Sequence, residues 1–453
     1  MRRFVYICAL VLPLFACDSL PVSSADIPLT PEQSAAISDA VSAPPPVWVG
    51  AFQDTLMDRL LQQLNTQNLD IQMAQARLQE ARAHVAFSRA DFFPRVDISS
   101  SATRGNDRPG AGTATTLNKG GFDAAWELDL FGRIRAQTDA ADARREGEAE
   151  RLDSVRITMQ AELIRAVVEW RQAQETLKQA SALLASQDEQ VEVFSIRVKA
   201  GLVDATYLER ASAQRAQTAT LIPQAQTQAT AAQFQIEQLL GQPPGSLAAI
   251  LEESQGTALN VPAVEGTIAV ALEVIRARPD VKAAGAELRE AQANIAQAEA
   301  SLWPQISLGS FLGVQSASDA LRMADNPLWS VSSAISAPLL NFGKLRAAIN
   351  VADARAEIAR LNYERTVSLA LQEAHTSLSD YLGGMNVISA QQEALQHRQD
   401  TVKLARQRFE RGLTDMTDLT TAQAELDSAT ITLVERKAQA AIAYIRLQKA
   451  LGN

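Results

Sequence analysis

Cysteine is almost absent from the chain, and its absence removes several kinds of chemistry. The 453 residues include two cysteines, Cys8 and Cys17, and both lie within the first 17 residues. No later residue can therefore form a disulfide, ligate a metal through a thiolate or act as a thiol nucleophile. The body of the protein must work without them.

Histidine is scarce too, and no set of catalytic residues stands out. The three histidines are His84, His375 and His397, each isolated within a predicted helix and without metal-ligand spacing. No glycine-rich phosphate loop follows a predicted strand, and the many helical carboxylates are expected to form i,i+4 pairs on solvated faces. The sequence predicts no enzyme activity, no cofactor and no metal site.

Long hydrophobic runs and excess positive charge are also missing. After Ala16 no window holds 18 consecutive apolar residues, so helical membrane spans are not predicted. The formal net charge is −10, with 42 Lys and Arg against 52 Asp and Glu. Loss of Arg2 and Arg3 with residues 1–16 would leave 40 against 52, a net charge of −12. This acidic balance predicts no nucleic-acid partner.

The first residues have the form of a targeting signal. Two arginines precede an apolar run from Phe4 to Ala16 that is too short to span a bilayer as a stable helix. The following Leu14-Phe15-Ala16-Cys17 resembles a bacterial lipobox, which implies that Cys17 becomes the lipidated first residue. The alternative is an ordinary secretory signal followed by an incidental cysteine.

The chain repeats itself at an offset of about 210 residues. The segment Leu78–Ala81 returns as Leu288–Ala291, and Phe93-Pro94 returns as Trp303-Pro304. Further matches are ordered and collinear: Phe131-Gly132 with Phe342-Gly343, Ala141–Arg144 with Ala352–Arg355, and Gly201-Leu202 with Gly412-Leu413. The protein is therefore interpreted as a duplicated structural unit.

Proline-rich stretches separate the predicted segments. We predict a signal peptide at residues 1–16, an extended lipidated tether at 17–50 and a first repeat at 51–242. A linker at 243–270, expected to cross the outside of the helical body, precedes a second repeat at 271–453. Each repeat is predicted to contain one helix, two strands and then two helices.

Strands are predicted where proline and glycine punctuate the helical pattern. In the clearest one, apolar residues alternate with charged or small ones: Phe122, Ala124, Trp126, Leu128 and Leu130 against Asp123, Ala125, Glu127 and Asp129. The other three predicted strands are marked by Val96 and Ile98, by Ile306, Leu308, Ser310 and Leu312, and by Trp329, Val331, Ser333, Ile335 and Ala337. Each is roughly 9–11 residues, the length that a tilted strand needs to cross a bilayer.

Four strands per chain cannot close a barrel, and open strand edges are not tolerated in hydrocarbon. We therefore expect three chains to pool their strands into one barrel of about twelve. Asp123, Glu127 and Asp129 are predicted to line its lumen, and Trp126 and Trp329 to lie at the membrane interface. The alternative is a pair of soluble hairpins that cap a helical bundle.

The helices are unusually long. Between Gly132 and Gly201 there is no proline and one glycine, Gly147, so a helix on the order of 100 Å is possible. Its apolar residues follow steps of four and three, with Gln187 as an interruption: Met159, Leu163, Ala166, Trp170, Ala173, Leu177, Ala180, Leu184, Val191, Phe194 and Val198. This spacing indicates coiled-coil packing beside neighbouring helices.

Together these residues resemble the TolC/OprM-like outer-membrane efflux channel family over nearly the whole mature chain. The points of similarity are Trp126–Gly132 at the strand-to-helix junction, Arg278–Val281 at the start of the second unit, and the two Gly-Leu turns. With the lipobox, they look like the lipoprotein branch of that family. The resemblance implies a mainly α protein with a transmembrane β-barrel, trimeric and twelve-stranded, continuous with a long α-helical periplasmic barrel.

The resemblance also implies roles for particular residues. Adaptor docking is assigned to the helical hairpin tips, through Arg197, Gly201, Leu202, Arg408, Arg411, Gly412 and Leu413. Channels of this family narrow at rings of acidic residues near the second tip. Asp418 aligns with one such ring position, and Thr421 occupies another. Asp415 lies one turn before Asp418. The other interpretation is that each glycine ends a helix and that Asp415 or Thr414 caps the next one.

The predicted function is a passive exit duct in the outer membrane, lipid-anchored and extending into the periplasm. Its predicted partners are two further copies of the chain, a periplasmic adaptor, an inner-membrane transporter of the RND type and outer-membrane lipid. A periplasmic coiled-coil adaptor or scaffold lipoprotein is the alternative, since heptads alone establish architecture and not function.

Overall fold

A computed structural model describes residues 48–105, 115–254, 256–263, 272–316 and 327–453. The predicted signal peptide, the lipidation site at Cys17 and nearly all of the predicted tether lie outside these residues. Residues 264–271 and the two strand-connecting segments, 106–114 and 317–326, also lie outside them.

The first repeat begins with a short 3-10 turn, Val49–Phe52, and continues through five helices and two strands. Its elements are α1 (Thr55–Gln67), α2 (Leu69–Ala90), β1 (Arg95–Gly105), β2 (Thr115–Leu128), α3 (Arg133–Lys199), α4 (Ala205–Ala219) and α5 (Leu221–Leu239). A short helix, α6 (Ala248–Glu253), lies in the predicted linker.

The second repeat follows the same order. Its elements are α7 (Leu272–Ala277), α8 (Pro279–Ala300), β3 (Gln305–Ser316), β4 (Pro327–Ser336), α9 (Lys344–Glu410) and α10 (Met416–Ala450). The two longest helices, α3 and α9, each have 67 residues, which corresponds to about 100 Å. Both start after a glycine in the left-handed region, Gly132 at φ 81° and Gly343 at φ 85°. Among the described residues, no helix has the length and hydropathy of a membrane-spanning helix.

The return helix of the first repeat is not one long helix, as the repeat pattern predicted, but two. Helix α4 ends at Ala219 and α5 starts at Leu221, with Thr220 between them. Pro223 accounts for the break, because it has no N–H to donate to the carbonyl of Ala219 and its ring crowds the preceding turn. The corresponding helix of the second repeat, α10, has no proline and is continuous.

The four strands form a single antiparallel sheet in the order β1-β2-β3-β4. They have 11, 14, 12 and 10 residues, so the two inner strands exceed the predicted length. Two predicted strand ends were wrong. Strand β2 stops at Leu128, before Asp129 and Leu130, and β4 stops at Ser336, before Ala337.

One face of the sheet is apolar and exposed. Cross-strand pairing joins Ile98 to Phe122, Phe122 to Leu312 and Leu312 to Trp329, so these four side chains form a row across all four strands. Their exposed fractions are 79%, 48%, 61% and 73%. A row of large apolar side chains left this open needs a further apolar environment to cover it.

The main core lies in the middle of the long helices. The seam residues Leu163, Ala166, Trp170 and Ala173 are buried there, as the heptad spacing predicted. An aromatic group joins the start of the described chain to the last helices, with Trp48, Phe52 and Tyr381 all packed around Tyr444. The two repeats therefore share one core.

Candidate channel wall, hairpin tips and gate

The second face of the sheet is polar, and most of its charges are compensated. Glu127 accepts two hydrogen bonds from Arg133, at 3.0 and 2.8 Å, and Asp97 accepts one from Arg95 at 2.7 Å. Asp123 accepts a hydrogen bond from the hydroxyl of Ser99. The face carries carboxylates, as the alternation predicted, but paired arginines offset two of them.

Asp129 has a different place from the one predicted. It lies beyond the end of β2, and its carboxylate oxygens accept hydrogen bonds from the backbone N–H groups of Ile134 at 3.0 Å and Arg135 at 2.8 Å. These N–H groups belong to the first turn of α3 and have no partner within the helix. Asp129 therefore helps to start the long helix and is not a residue of the strand face.

The two predicted interface tryptophans lie at different levels of the sheet, Trp126 near its helix end and Trp329 level with Phe122, halfway along β2. Trp126 is close to the helix end, and its indole Nε1 donates a hydrogen bond to the carbonyl of Phe92 at 2.9 Å. Trp329 is in the row of exposed apolar residues near the start of β4, and 73% of it is exposed. An aromatic pair lies at the strand-to-helix junction, where the rings of Phe131 and Trp303 stack with their centroids 5.4 Å apart.

The hairpin tips have the same backbone geometry in both repeats. Gly201 and Gly412 adopt φ values of 70° and 68°, which side chains rarely allow. In each tip the next residue donates back across the turn, Leu202 N to Arg197 O and Leu413 N to Arg408 O, both at 2.9 Å. This Schellman arrangement ends the helix and turns the chain. It leaves Leu202 and Leu413 exposed, at 72% and 65%.

The two tips lie beside one another within one chain. The guanidinium carbon of Arg197, at the first tip, is 5.7 Å from the centroid of the Phe409 ring at the second. This is within the range of a cation–π contact. Arg408 and Arg411 at the second tip are exposed, so the paired tips present leucine and arginine side chains at one end of the helical body.

The predicted gate residues follow the second tip. Asp415 caps α10, and its carboxylate accepts a hydrogen bond from Thr417 N at 2.8 Å. Asp418 is exposed in the first turn of the same helix. Asp204 caps α4 in the equivalent way at the first tip, so the capping role is common to both repeats.

A buried polar contact joins the two hairpins above the tips, and the sequence did not predict it. Gln187 Nε2 of α3 donates to Asp427 of α10 at 2.8 Å, and Gln423 donates to the same carboxylate at 3.0 Å. Gln187 is 3% and Asp427 4% exposed. Burial raises the pKa of the Asp427 carboxyl above its usual range, and the two amide hydrogen bonds offset the rise only in part.

A cavity of about 410 Å³ adjoins this contact, with Arg210, Gln214, Thr420 and Thr421 in its wall. The side-chain oxygen of Gln187 is buried there without a hydrogen-bond partner. The heptad spacing predicts Gln187 as an interruption of the seam, yet Gln187 is buried in that seam. Its partner is 240 residues away, so no local pattern could have pointed to it.

No cluster of three or more His, Cys, Asp or Glu side chains suited to a metal ion occurs within the described parts of the chain.

A sheet with one apolar and one polar face, joined to helices of about 100 Å, defines the class of tunnel-forming outer-membrane proteins. The family model "Outer membrane efflux protein" matches residues 60–242 and 271–453. The chain belongs to this family.

Individual relatives agree with this assignment. The chain is 27% identical over 413 residues to Nodulation protein T of Rhizobium leguminosarum bv. trifolii, covering 90% of this chain and 87% of the relative. It is 28% identical over 458 residues to the antibiotic efflux pump outer membrane protein ArpC of Pseudomonas putida, covering 98% and 92%.

Solved structures share the fold. The outer-membrane channel OprN superposes with a TM-score of 0.83 at 31% identity, covering 91% of this chain and 95% of OprN. CusC superposes with a TM-score of 0.81 at 24% identity, covering 91% and 96%. The protein thus has the TolC-like channel fold, and it is an outer-membrane efflux channel. Its family and fold are those of channel proteins rather than of enzymes.

Proposed function

We propose that three copies of the chain assemble into the exit duct of a tripartite efflux pump. The observation that carries this proposal is the four-stranded sheet, whose apolar face is exposed and whose outer strands are β1 and β4. Strand edges in hydrocarbon must be paired. Pairing of β4 with β1 of the next copy closes a twelve-stranded barrel and turns the apolar row towards lipid.

The duct is anchored by lipid on Cys17 and extends from the outer membrane into the periplasm. Support comes from the lipobox-like Leu14–Cys17 and from the proline-rich stretch that follows it. The barrel crosses the bilayer, so the lipid on Cys17 is a second attachment to the same membrane.

The hairpin tips dock a periplasmic adaptor, which connects the duct to an inner-membrane transporter of the RND type. The exposed Leu202 and Leu413, with Arg197, Arg408 and Arg411 beside them, offer an apolar and cationic surface. Gly201 and Gly412 shape this surface through their left-handed backbone. The relative ArpC is named as a component of an antibiotic efflux pump, which agrees with a partnered role.

Asp415 and Asp418 form the periplasmic gate. In a trimer, three copies of each exposed carboxylate approach the axis, where they repel one another and attract cations. Asp123 and Glu127 line the barrel, and Asp129 supports the start of the helical wall below it. Trp126, near the helix end of the sheet, and Trp329, on the same apolar face, lie at the membrane interface.

Oligomeric mass and single-channel conductance test this function. The full-length protein is purified in detergent, its mass is measured by light scattering, and it is reconstituted in a planar bilayer. We expect a mass close to three times the chain mass of 48.9 kDa and discrete, mostly closed conductance. A monomer without conductance would contradict the duct.

A further inference from the structure

Among the described strand residues, the polar face of the sheet carries one aromatic side chain, Phe311. It belongs to the cross-strand row that also contains Asp97, Asp123 and Ser330. Most neighbours of this row on the same face are serine, glycine or charged. Phe311 is nevertheless only 5% exposed, so the sheet must provide a place for its ring.

Two glycines provide that place. Gly121 and Gly313 are paired in the next row, and a Cβ built on them would lie 2.8 and 2.6 Å from Cζ of Phe311. Any side chain at either position would collide with the ring. The glycines leave the backbone bare, and the aromatic ring covers it, a known way to stabilise a glycine in a sheet.

Lys119 lies over the same ring. Its Nζ is 3.8 Å from the centroid of Phe311, a close cation–π contact. The row of Lys119 otherwise contains Ser101 and Gln315. Within the described residues Lys119 forms no salt bridge with a carboxylate, whereas Arg95 on the same face is paired with Asp97.

The arrangement divides the charge along the polar face. Asp123 is on the helix side of the glycine row and Lys119 on the opposite side, so their Cα atoms are four residues or about 13 Å apart along β2. The Lys119 side chain reaches back to the ring of Phe311, the cross-strand partner of Asp123, so the polar face carries charges of both signs. The acidic wall predicted from the sequence is therefore only half of the electrostatic pattern.

We propose that Lys119, held on the ring of Phe311, forms a cationic collar in the outer half of the barrel that favours anionic solutes over cations. The inference rests on the proposed trimeric barrel, in which three Lys119 ammonium groups face one lumen. Phe311 acts as a positioning residue. It fixes the height of the ammonium group and limits its motion, since a lysine side chain otherwise has many rotamers.

Reversal potentials in a potassium chloride gradient test the collar. The full-length protein is reconstituted in planar bilayers, and the permeability ratio of potassium to chloride is measured for wild type and variants. Lys119→Gln removes the charge, and Lys119→Met removes it while an unbranched chain remains over the ring. Each removes three charges from the trimer and is expected to raise the ratio at least twofold, since one unit charge at about 10 Å in water already has an effect of about that size.

Two variants control the sign and the chemistry. Asp123→Asn removes a negative charge from the same face and is expected to lower the ratio. Lys119→Arg keeps the positive charge and the contact with the ring, and it is expected to restore the wild-type ratio. Two further variants test the positioning role of Phe311. Phe311→Tyr keeps the π face of the ring. Phe311→Leu keeps an apolar side chain but has no π face, and it is expected to raise the permeability ratio of potassium to chloride.

The possible failures can be told apart. If wild type forms no channel, the duct itself is refuted and the collar with it. If the Lys119 variants form trimers that conduct with an unchanged permeability ratio, the collar alone is refuted. If Phe311→Leu retains the wild-type ratio while Lys119→Gln changes it, the positioning role of Phe311 is refuted.

Discussion

Arg278 donates a hydrogen bond from its guanidinium Nη1 to the carbonyl oxygen of Ala450 at 2.7 Å, and so joins the start of α8 to the end of α10. The first repeat makes the same connection with a different residue. Asn68 Nδ2 donates to the carbonyl of Leu239, also at 2.7 Å, and joins the start of α2 to the end of α5. The duplication therefore extends to a single hydrogen bond that closes each repeat on itself.

Removal of the Arg278 side chain should destabilise the second repeat. The residue is 7% exposed and also binds Asp280 and Glu373, so Arg278→Ala leaves a buried carbonyl and two carboxylates without their donor. We expect a loss of about 2–3 kcal/mol in the free energy of unfolding, measured by urea denaturation in detergent. Arg289→Ala is the control, because its pair with Glu146 is exposed and contributes at most about 1 kcal/mol. Equal losses in the two variants would contradict the closing role.

Stability should fall in acid through Glu237. Burial would raise the pKa of this carboxyl, but hydrogen bonds from Gln233, Leu247 and Gly245 outweigh burial and leave the pKa below its usual range. The backbone bonds measure 3.0 Å from Leu247 N and 2.7 Å from Gly245 N. A lowered folded-state pKa stabilises the fold above the unfolded-state pKa, about 4.3, and this contribution is lost as pH falls through the folded value.

Glu237→Gln tests that assignment, because glutamine does not titrate. The free energy of unfolding is measured between neutral pH and the acid range for both proteins. We expect wild type to be the more stable at neutral pH and the difference to shrink as the pH is lowered. Parallel pH profiles for the two proteins would show that Glu237 is not the group responsible.

Asp427 should act in the opposite sense. Its pKa is raised by burial, so its protonated form stabilises the contact between α3 and α10, and that stabilisation is lost as pH rises through the folded-state value. Asp427→Asn keeps an uncharged side chain of the same shape. We expect amide hydrogen exchange around Gln187 to accelerate with rising pH in wild type beyond the intrinsic rate, and to follow the intrinsic rate in the variant. Asp418→Asn, at an exposed position, should behave as wild type.

Asp418→Ala tests the proposed gate. Loss of three carboxylates near the axis should weaken the attraction for cations at the constriction and alter the conductance or cation preference in planar bilayers. Asp415→Ala is a less specific variant, because Asp415 also caps α10 and its loss costs about 1 kcal/mol of helix stability. Unchanged conductance and selectivity in Asp418→Ala would remove that residue from the gate.

Much of the architecture could be predicted from local patterns. The alternation around Phe122 and Asp123 marked a two-faced strand, and the uninterrupted stretch between Gly132 and Gly201 marked a long helix. Both features depend on neighbours along the chain, since side chains alternate in a strand and a proline-free run can continue a helix. Pro223 is visible in the sequence, but a comparison of the two repeats does not predict a break there, because the corresponding helix of the second repeat has no proline.

Adaptor docking at the hairpin tips and gating at Asp415 and Asp418 stay predictions. The backbone geometry at Gly201 and Gly412 agrees with the Gly-Leu pattern, but docking and gating depend on other chains. Likewise, Cys17 lies outside the described residues, so lipidation rests on the sequence motif alone.

The duplication, the two-faced strands, the long helices and the glycines that end them can be predicted from spacing along the chain. Three contacts appear only in the folded chain: Gln187 with Asp427, Arg278 with Ala450, and the ring of Phe311 with Gly121, Gly313 and Lys119. The two hydrogen bonds join residues 240 and 172 positions apart, and the ring contacts cross strands whose register is set by pairing. Hydrogen-bond and ring geometry of this kind carries no local signature, so it exists only once the chain has folded.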